Sequence, residues 1–120
     1  MNRFLLLPVA CMMLLAVWLA WLEDKKAEAS DITVQMKSLS YDPRKLEIHV
    51  GDSVVWTNQA RTAHTATSDD EGKTFDTDEI KPGESSKLVK FEKEGEFKYH
   101  CKIHGKSMNG TVVVKPTAEK

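Results

Sequence analysis

Two kinds of apolar pattern divide the chain. From Phe4 to Leu22 apolar residues run almost unbroken, whereas from Asp31 onward they recur at every second position. Alternation of that period puts one face of an extended chain into a core and the other into water. It predicts strands over Asp31–Met36, around Leu46, Ile48 and Val50, and over Ser53–Asn58. Further strands are expected over Ser86–Phe91, with Leu88 and Phe91 as apolar positions, over Glu96–Cys101, and over Thr111–Val114. Tyr41-Asp42-Pro43, Gly51-Asp52, Lys81-Pro82-Gly83-Glu84 and Glu94-Gly95 supply turn chemistry between them. Gln59–Thr74 reads as a polar loop, and the tail from Pro116 as loose. Short alternating strands separated by regular turns define an all-β sandwich.

The unbroken run is a different object. Arg3 precedes it, Glu23-Asp24-Lys25-Lys26 follows it, and Ala27-Glu28-Ala29 has the small-x-small form of a cleavage site. Residues 1–29 are therefore expected to be a signal peptide or membrane anchor, and residues 30–120 one exported domain, periplasmic or otherwise extracytoplasmic. The run approaches the ~20 residues that span a bilayer, and Trp18 and Trp21 suit its interface, so cleavage and a membrane tether both stay open. Cys11, within the run, lacks the preceding leucine of a lipid-attachment site and reads as a small apolar residue.

Three of the 17 basic residues (Arg3, Lys25, Lys26) and three of the 18 acidic ones (Glu23, Asp24, Glu28) precede Ser30, leaving 14 against 15 in the domain. That balance argues against nucleic acid as a partner. The acidic run Asp69-Asp70-Glu71, with Asp76, Asp78 and Glu79, is expected to be a solvated face.

Cys101 is the one thiol of residues 30–120, a hazard in an oxidising compartment unless something occupies it. It ends a strand on the face shared with Phe97 and Tyr99, so its side chain points inward. His104 and Met108 follow in a loop that can fold back over the same sulfur. A thiolate, an imidazole and a weak thioether suit copper passing between two oxidation states. His64, between Ala63 and Thr65, is the best remaining histidine to close the site; His49 and His100 are placed by alternation on the outer face. Trp56, Phe97 and Tyr99 read as core.

These residues give the chain a resemblance to the cupredoxin family of blue copper proteins, which includes plastocyanin, pseudoazurin and amicyanin. It is carried by Tyr41-Asp42-Pro43, Gly51-Asp52-Ser53-Val54-Val55-Trp56-Thr57-Asn58, Ala63-His64-Thr65-Ala66, Phe75-Asp76-Thr77, Pro82-Gly83, Tyr99-His100-Cys101-Lys102-Ile103-His104, Met108 and Gly110–Val114. The resemblance implies a Greek-key β-sandwich holding one type 1 copper ion. In it His64 and His104 ligate through imidazole, Cys101 through thiolate and Met108 as the long axial ligand. Thr65 stands where plastocyanin and amicyanin carry an asparagine that ties the site down, and its hydroxyl is expected to take over part of that bracing.

The function expected is that of a one-electron carrier outside the cytoplasm, a monomer exchanging electrons with redox protein partners. His104 would be its exposed edge, and Lys102 and Lys106 a bias toward acidic partners. Copper delivery or storage through the same four residues is the other reading. An enzyme is not expected, because related copper enzymes need further copper centres and hence more histidines.

Overall fold

The alternation that begins at Ile32 builds two sheets rather than one. A computed structural model describes residues 29–117; the expected signal or anchor segment otherwise lies outside the described residues. These form β1 (Asp31–Met36), β2 (Tyr41–Asp42), β3 (Lys45–His49), β4 (Ser53–Asn58), β5 (Thr67–Ser68), β6 (Val89–Lys90), β7 (Gly95–Cys101) and β8 (Gly105–Lys115), with no helix among the described residues. One sheet has the order β2-β1-β4-β6 and the other β3-β8-β7-β5. Each sheet contains a parallel pair. β1 lies along β4 from Asp31↔Ser53 to Met36↔Asn58, and β3 along β8 from Lys45↔Thr111 to His49↔Lys115. Every connection from β2 to β7 crosses between the sheets, so the side chains trapped between them form one core.

That core is aromatic. Trp56 stacks on Phe75 with ring centroids 5.4 Å apart and meets Tyr99 edge-on at 5.4 Å, and Tyr99 meets Tyr41 edge-on at 4.6 Å. The polar tips are satisfied, as buried Tyr and Trp require. Trp56 Nε1 donates to the Tyr99 hydroxyl at 3.2 Å, and the Tyr41 hydroxyl donates to the Thr65 carbonyl. Burial pushes both phenols above the usual tyrosine range, so they stay neutral donors. Gly110 faces Tyr99 across the β7–β8 ladder, and a Cβ there would lie 2.6 Å from the Tyr99 ring. The close approach of the two strands therefore depends on that glycine.

Two elements differ from the alternation. The strand expected over Ser86–Phe91 shortens to Val89–Lys90, because only Ser53 and Val54 of β4 pair with it. Leu88 is then 54% exposed, while Phe91 is buried against Phe75 and Phe97. The polar loop Gln59–Thr74 is also less open than its composition suggests, since residues 64–68 are all buried and include β5.

Candidate metal centre

Cys101 reaches the interior because β7 alternates, with Phe97 partly buried and Tyr99 and Cys101 fully so. The β7–β8 ladder changes register beside it. His100 pairs with Asn109, yet Cys101 pairs with Gly105, leaving Lys106, Ser107 and Met108 bulged out of β8. Bulges re-aim side chains next to functional sites. Here Lys106 and Ser107 turn to solvent and Met108 is fully buried. Met108 thus lies within a strand, where the sequence suggests a loop reaching to Gly110; the chain actually turns over Lys102–His104 alone. Gly105, at φ 77°, closes that turn in a conformation that disfavours any side chain.

His64 is held by a different device. Its N–H donates to the Ile80 carbonyl at 3.1 Å and its carbonyl accepts from the Ile80 N–H at 2.8 Å. Asn58, buried at the end of β4, donates from Nδ2 to the carbonyls of Thr62 and Ile80, and its Oδ1 accepts from the Ala60 N–H. The segment before His64 is therefore tied to the core strand at two points, and the Ile80 segment that pairs with His64 at a third. Alternation of Val54, Trp56 and Asn58 on one face carries a hint of this, since a polar residue at a core position needs partners.

The structure brings His64, Cys101 and His104 together, with one donor atom from each lying within 4.8 Å of the others. Cys101 Sγ is 3.7 Å from His64 Nδ1 and 3.5 Å from His104 Nδ1, and the two imidazole centroids are 4.8 Å apart. His64 and Cys101 are fully buried and His104 half-buried. Among the described residues His64 Nε2 has no hydrogen-bond partner, so the ring's polar contact is on the side of the sulfur. Burial, then the neighbouring His104, lowers the pKa of His64; a contact with the Lys37 backbone, too poor to be a hydrogen bond, acts the other way. The ring is thus kept neutral, the form that offers a lone pair. A thiol and two imidazoles converging in a site closed on one side fit a soft metal ion. Met108 belongs to the same buried cluster as Cys101.

Thr65 joins the two ligand-bearing segments. Its N–H donates to Cys101 Sγ at 3.4 Å, and its hydroxyl oxygen accepts from the Lys102 N–H at 2.9 Å. The same hydroxyl lies 2.9 Å from that of Thr67, which donates to Asp76. The bracing expected of Thr65 is present, and its bonds to Cys101 and Lys102 join the two ligand-bearing segments.

The remaining candidates sort differently. His49 is exposed. His100 points away from the centre, with Nδ1 2.6 Å from Asp69 Oδ1. Lys102 does not stand alone, because its Nζ is 2.8 Å from Asp76, yet its side chain stays half exposed. Nor is the acidic run merely solvated. Hydrogen bonds from the Ser68 and Thr74 hydroxyls hold Asp70 down to about 2, so its carboxylate shapes the loop.

A two-sheet sandwich that sets a thiol between two imidazoles at one end defines a class. The chain belongs to the cupredoxin-like domain family, which it matches over residues 9–114. It is 34% identical over 88 residues to the chloroplastic plastocyanin of Tetradesmus obliquus, covering 65% of this chain and 60% of that protein, less than two thirds of its length. Among solved structures, a purple cupredoxin from Nitrosopumilus maritimus superposes with a TM-score of 0.64 at 29% identity, covering 71% of this chain and all of that one. An oxidized mutant of amicyanin superposes at 0.63 and 26% identity, covering 70% of this chain and 81% of that one.

Proposed function

We propose that residues 30–120 hold one copper ion through His64, Cys101, His104 and Met108 and serve as a monomeric one-electron carrier outside the cytoplasm. The observation that carries this reading is the position of Cys101 Sγ, 3.7 and 3.5 Å from two imidazole nitrogens on separately anchored segments. Bound copper would supply a one-electron couple; the protein supplies a frame that rearranges little. Asn58, Thr65 and the bulge at 106–108 each fix one ligand-bearing segment through bonds that need no metal. Thiolate with imidazole also suits zinc, and a buried thioether is what tilts the set toward copper.

His104 is the most exposed of the four, and its neighbour Ile103 is 52% exposed. Together they offer an apolar contact through which a redox partner would reach the metal. The export reading rests on the apolar run before Glu23 and on Ala27-Glu28-Ala29.

The test is to add Cu(II) to the purified full-length chain and record its visible spectrum. An intense thiolate-to-copper band, absent in Cys101→Ser and cycling reversibly with copper retained, is expected. A colourless protein that takes up only zinc would overturn the reading, and ready loss of Cu(I) to an acceptor protein would replace it with copper delivery.

A further inference from the structure

We propose that the outer face of the β3-β8-β7-β5 sheet, at the end bearing Cys101, docks the acidic surface of a protein partner. The register sets out this face row by row. Lys45, Thr111 and Lys98 share one outward row, on β3, β8 and β7, and His100 and Asn109 share the next row toward the metal centre. Arg44 joins that row by donating from Nε and Nη2 to Asn109 Oδ1 at 3.2 and 2.9 Å, and Lys106 lies in the bulge beyond it. A groove of about 500 Å³ runs along these residues.

Charge says what would fill it. Arg44, Lys45, Lys98 and Lys106 line the groove, and among the described residues none of the four is in a salt bridge. Its single carboxylate, Asp69, is already engaged by His100. Adjacent strands are ~4.8 Å apart, so Lys45 and Lys98 are separated by about a Debye length at physiological salt and act on an incoming charge together. The row farther from the metal adds little free charge, since Glu47 and Glu96 flank Val113 but Glu47 is paired with Lys115. A domain with almost no net charge thus carries unpaired positive charge on this face, on the side of the centre. Such a face orients an acidic partner so that its contact falls on the side of His104. Because Lys102 is tied to Asp76, this groove rather than the ligand turn carries the available positive charge. The proposal relies on the carrier reading for what its occupant does, and on the groove alone for its chemistry.

The test uses the full-length, copper-loaded and reduced chain, labelled with 15N, and poly-L-glutamate as the acidic probe. Saturable amide shifts are expected at Arg44, Lys45, Lys98, Lys106 and Thr111, disappearing at high salt. Lys45→Glu with Lys98→Glu should weaken binding about tenfold or more while leaving the visible spectrum of the metal unchanged. Shifts spread evenly over the surface, shifts centred on Lys81–Lys93, or an unchanged affinity in the double variant would each overturn the proposal. So would binding to phosphatidylserine vesicles that the same variant abolishes while poly-L-glutamate produces no shift. A chain that binds the probe as expected yet forms no copper band separates the groove from the metal reading.

Discussion

Replacing Gly110 with alanine tests whether the strand that delivers Met108 is set by the ring that faces it. The added Cβ would lie 2.6 Å from Tyr99 Cζ and 2.6 Å from its hydroxyl oxygen. Tyr99 has nowhere to retreat, since Tyr41, Trp56 and Phe75 pack against its ring and Trp56 Nε1 holds its hydroxyl. Gly110 does not have a left-handed φ, so alanine meets no backbone strain and the cost is steric. Overpacking a well-filled core costs ~1–3 kcal/mol, and losing the Trp56–Tyr99 hydrogen bond adds about 1 kcal/mol. A loss of ~2–4 kcal/mol corresponds to a fall in Tm of roughly 10–20 °C for a domain of this size. Urea unfolding of the metal-free chain, followed by tryptophan fluorescence, in which the buried Trp56 provides the change, reads the difference directly. In a Tyr99→Leu background the clashing atoms are gone, and the same alanine should cost almost nothing. If Gly110→Ala lies within about 0.5 kcal/mol of the parent, or costs as much beside Leu as beside Tyr, the clash is not what that glycine avoids.

Other substitutions and pH probe the centre itself. Thr65→Val leaves the Lys102 N–H without its partner, removes one of the two partners of the Thr67 hydroxyl and should cost ~1–3 kcal/mol by urea unfolding, with Thr65→Ser restoring most of it; equal losses in both variants would deny the hydroxyl its role. Met108→Leu conserves volume and should cost less than ~1.5 kcal/mol. It should keep the thiolate-to-copper band and shift the reduction potential, and an unmoved potential would remove Met108 from the ligand set. Asp70, held at about 2 against an ordinary 3.8, makes stability fall in acid. As pH drops below 3.8 the unfolded chain takes up a proton that the folded one refuses, so this contribution, full above 3.8, fades toward pH 2. In Asp70→Asn that part of the stability–pH profile should flatten.

Much of the centre is legible in the sequence because its residues lie on strands with clear periods. Phe97, Tyr99 and Cys101 alternate, so the inward thiol follows from local geometry. The start of β8 does not. Gly105, Lys106, Ser107 and Asn109 look like loop residues; Gly105 and Asn109 enter the ladder only because β7 supplies backbone partners, and Lys106 and Ser107 bulge between them. The buried run Thr65–Ser68 is hidden for a similar reason. Its polar groups are acceptable inside only because the Thr77 hydroxyl accepts from the Ala66 N–H, Asp76 accepts from the Thr67 hydroxyl and the Phe75 N–H donates to the Ser68 hydroxyl, and those partners lie several residues away in sequence. Lys102 reads as free in sequence and is engaged in space, since its pairing with Asp76 joins the turn after β7 to the loop before Ile80.

The parallel pairing of β8 with β3 has a consequence for how the protein comes into being. Lys45 must find Thr111 across most of the domain, and neither parallel ladder can begin as a local hairpin. Such topologies form slowly, because long loops must close before their contacts stabilise anything. Until those ladders close and the two sheets meet, Cys101 lacks the full burial it has in the finished fold, and its sulfur stands open to any oxidant the nascent chain meets. The interval between emergence and closure is therefore when this thiol is most vulnerable, and early arrival of a metal at His64 and Cys101 would shorten the exposure.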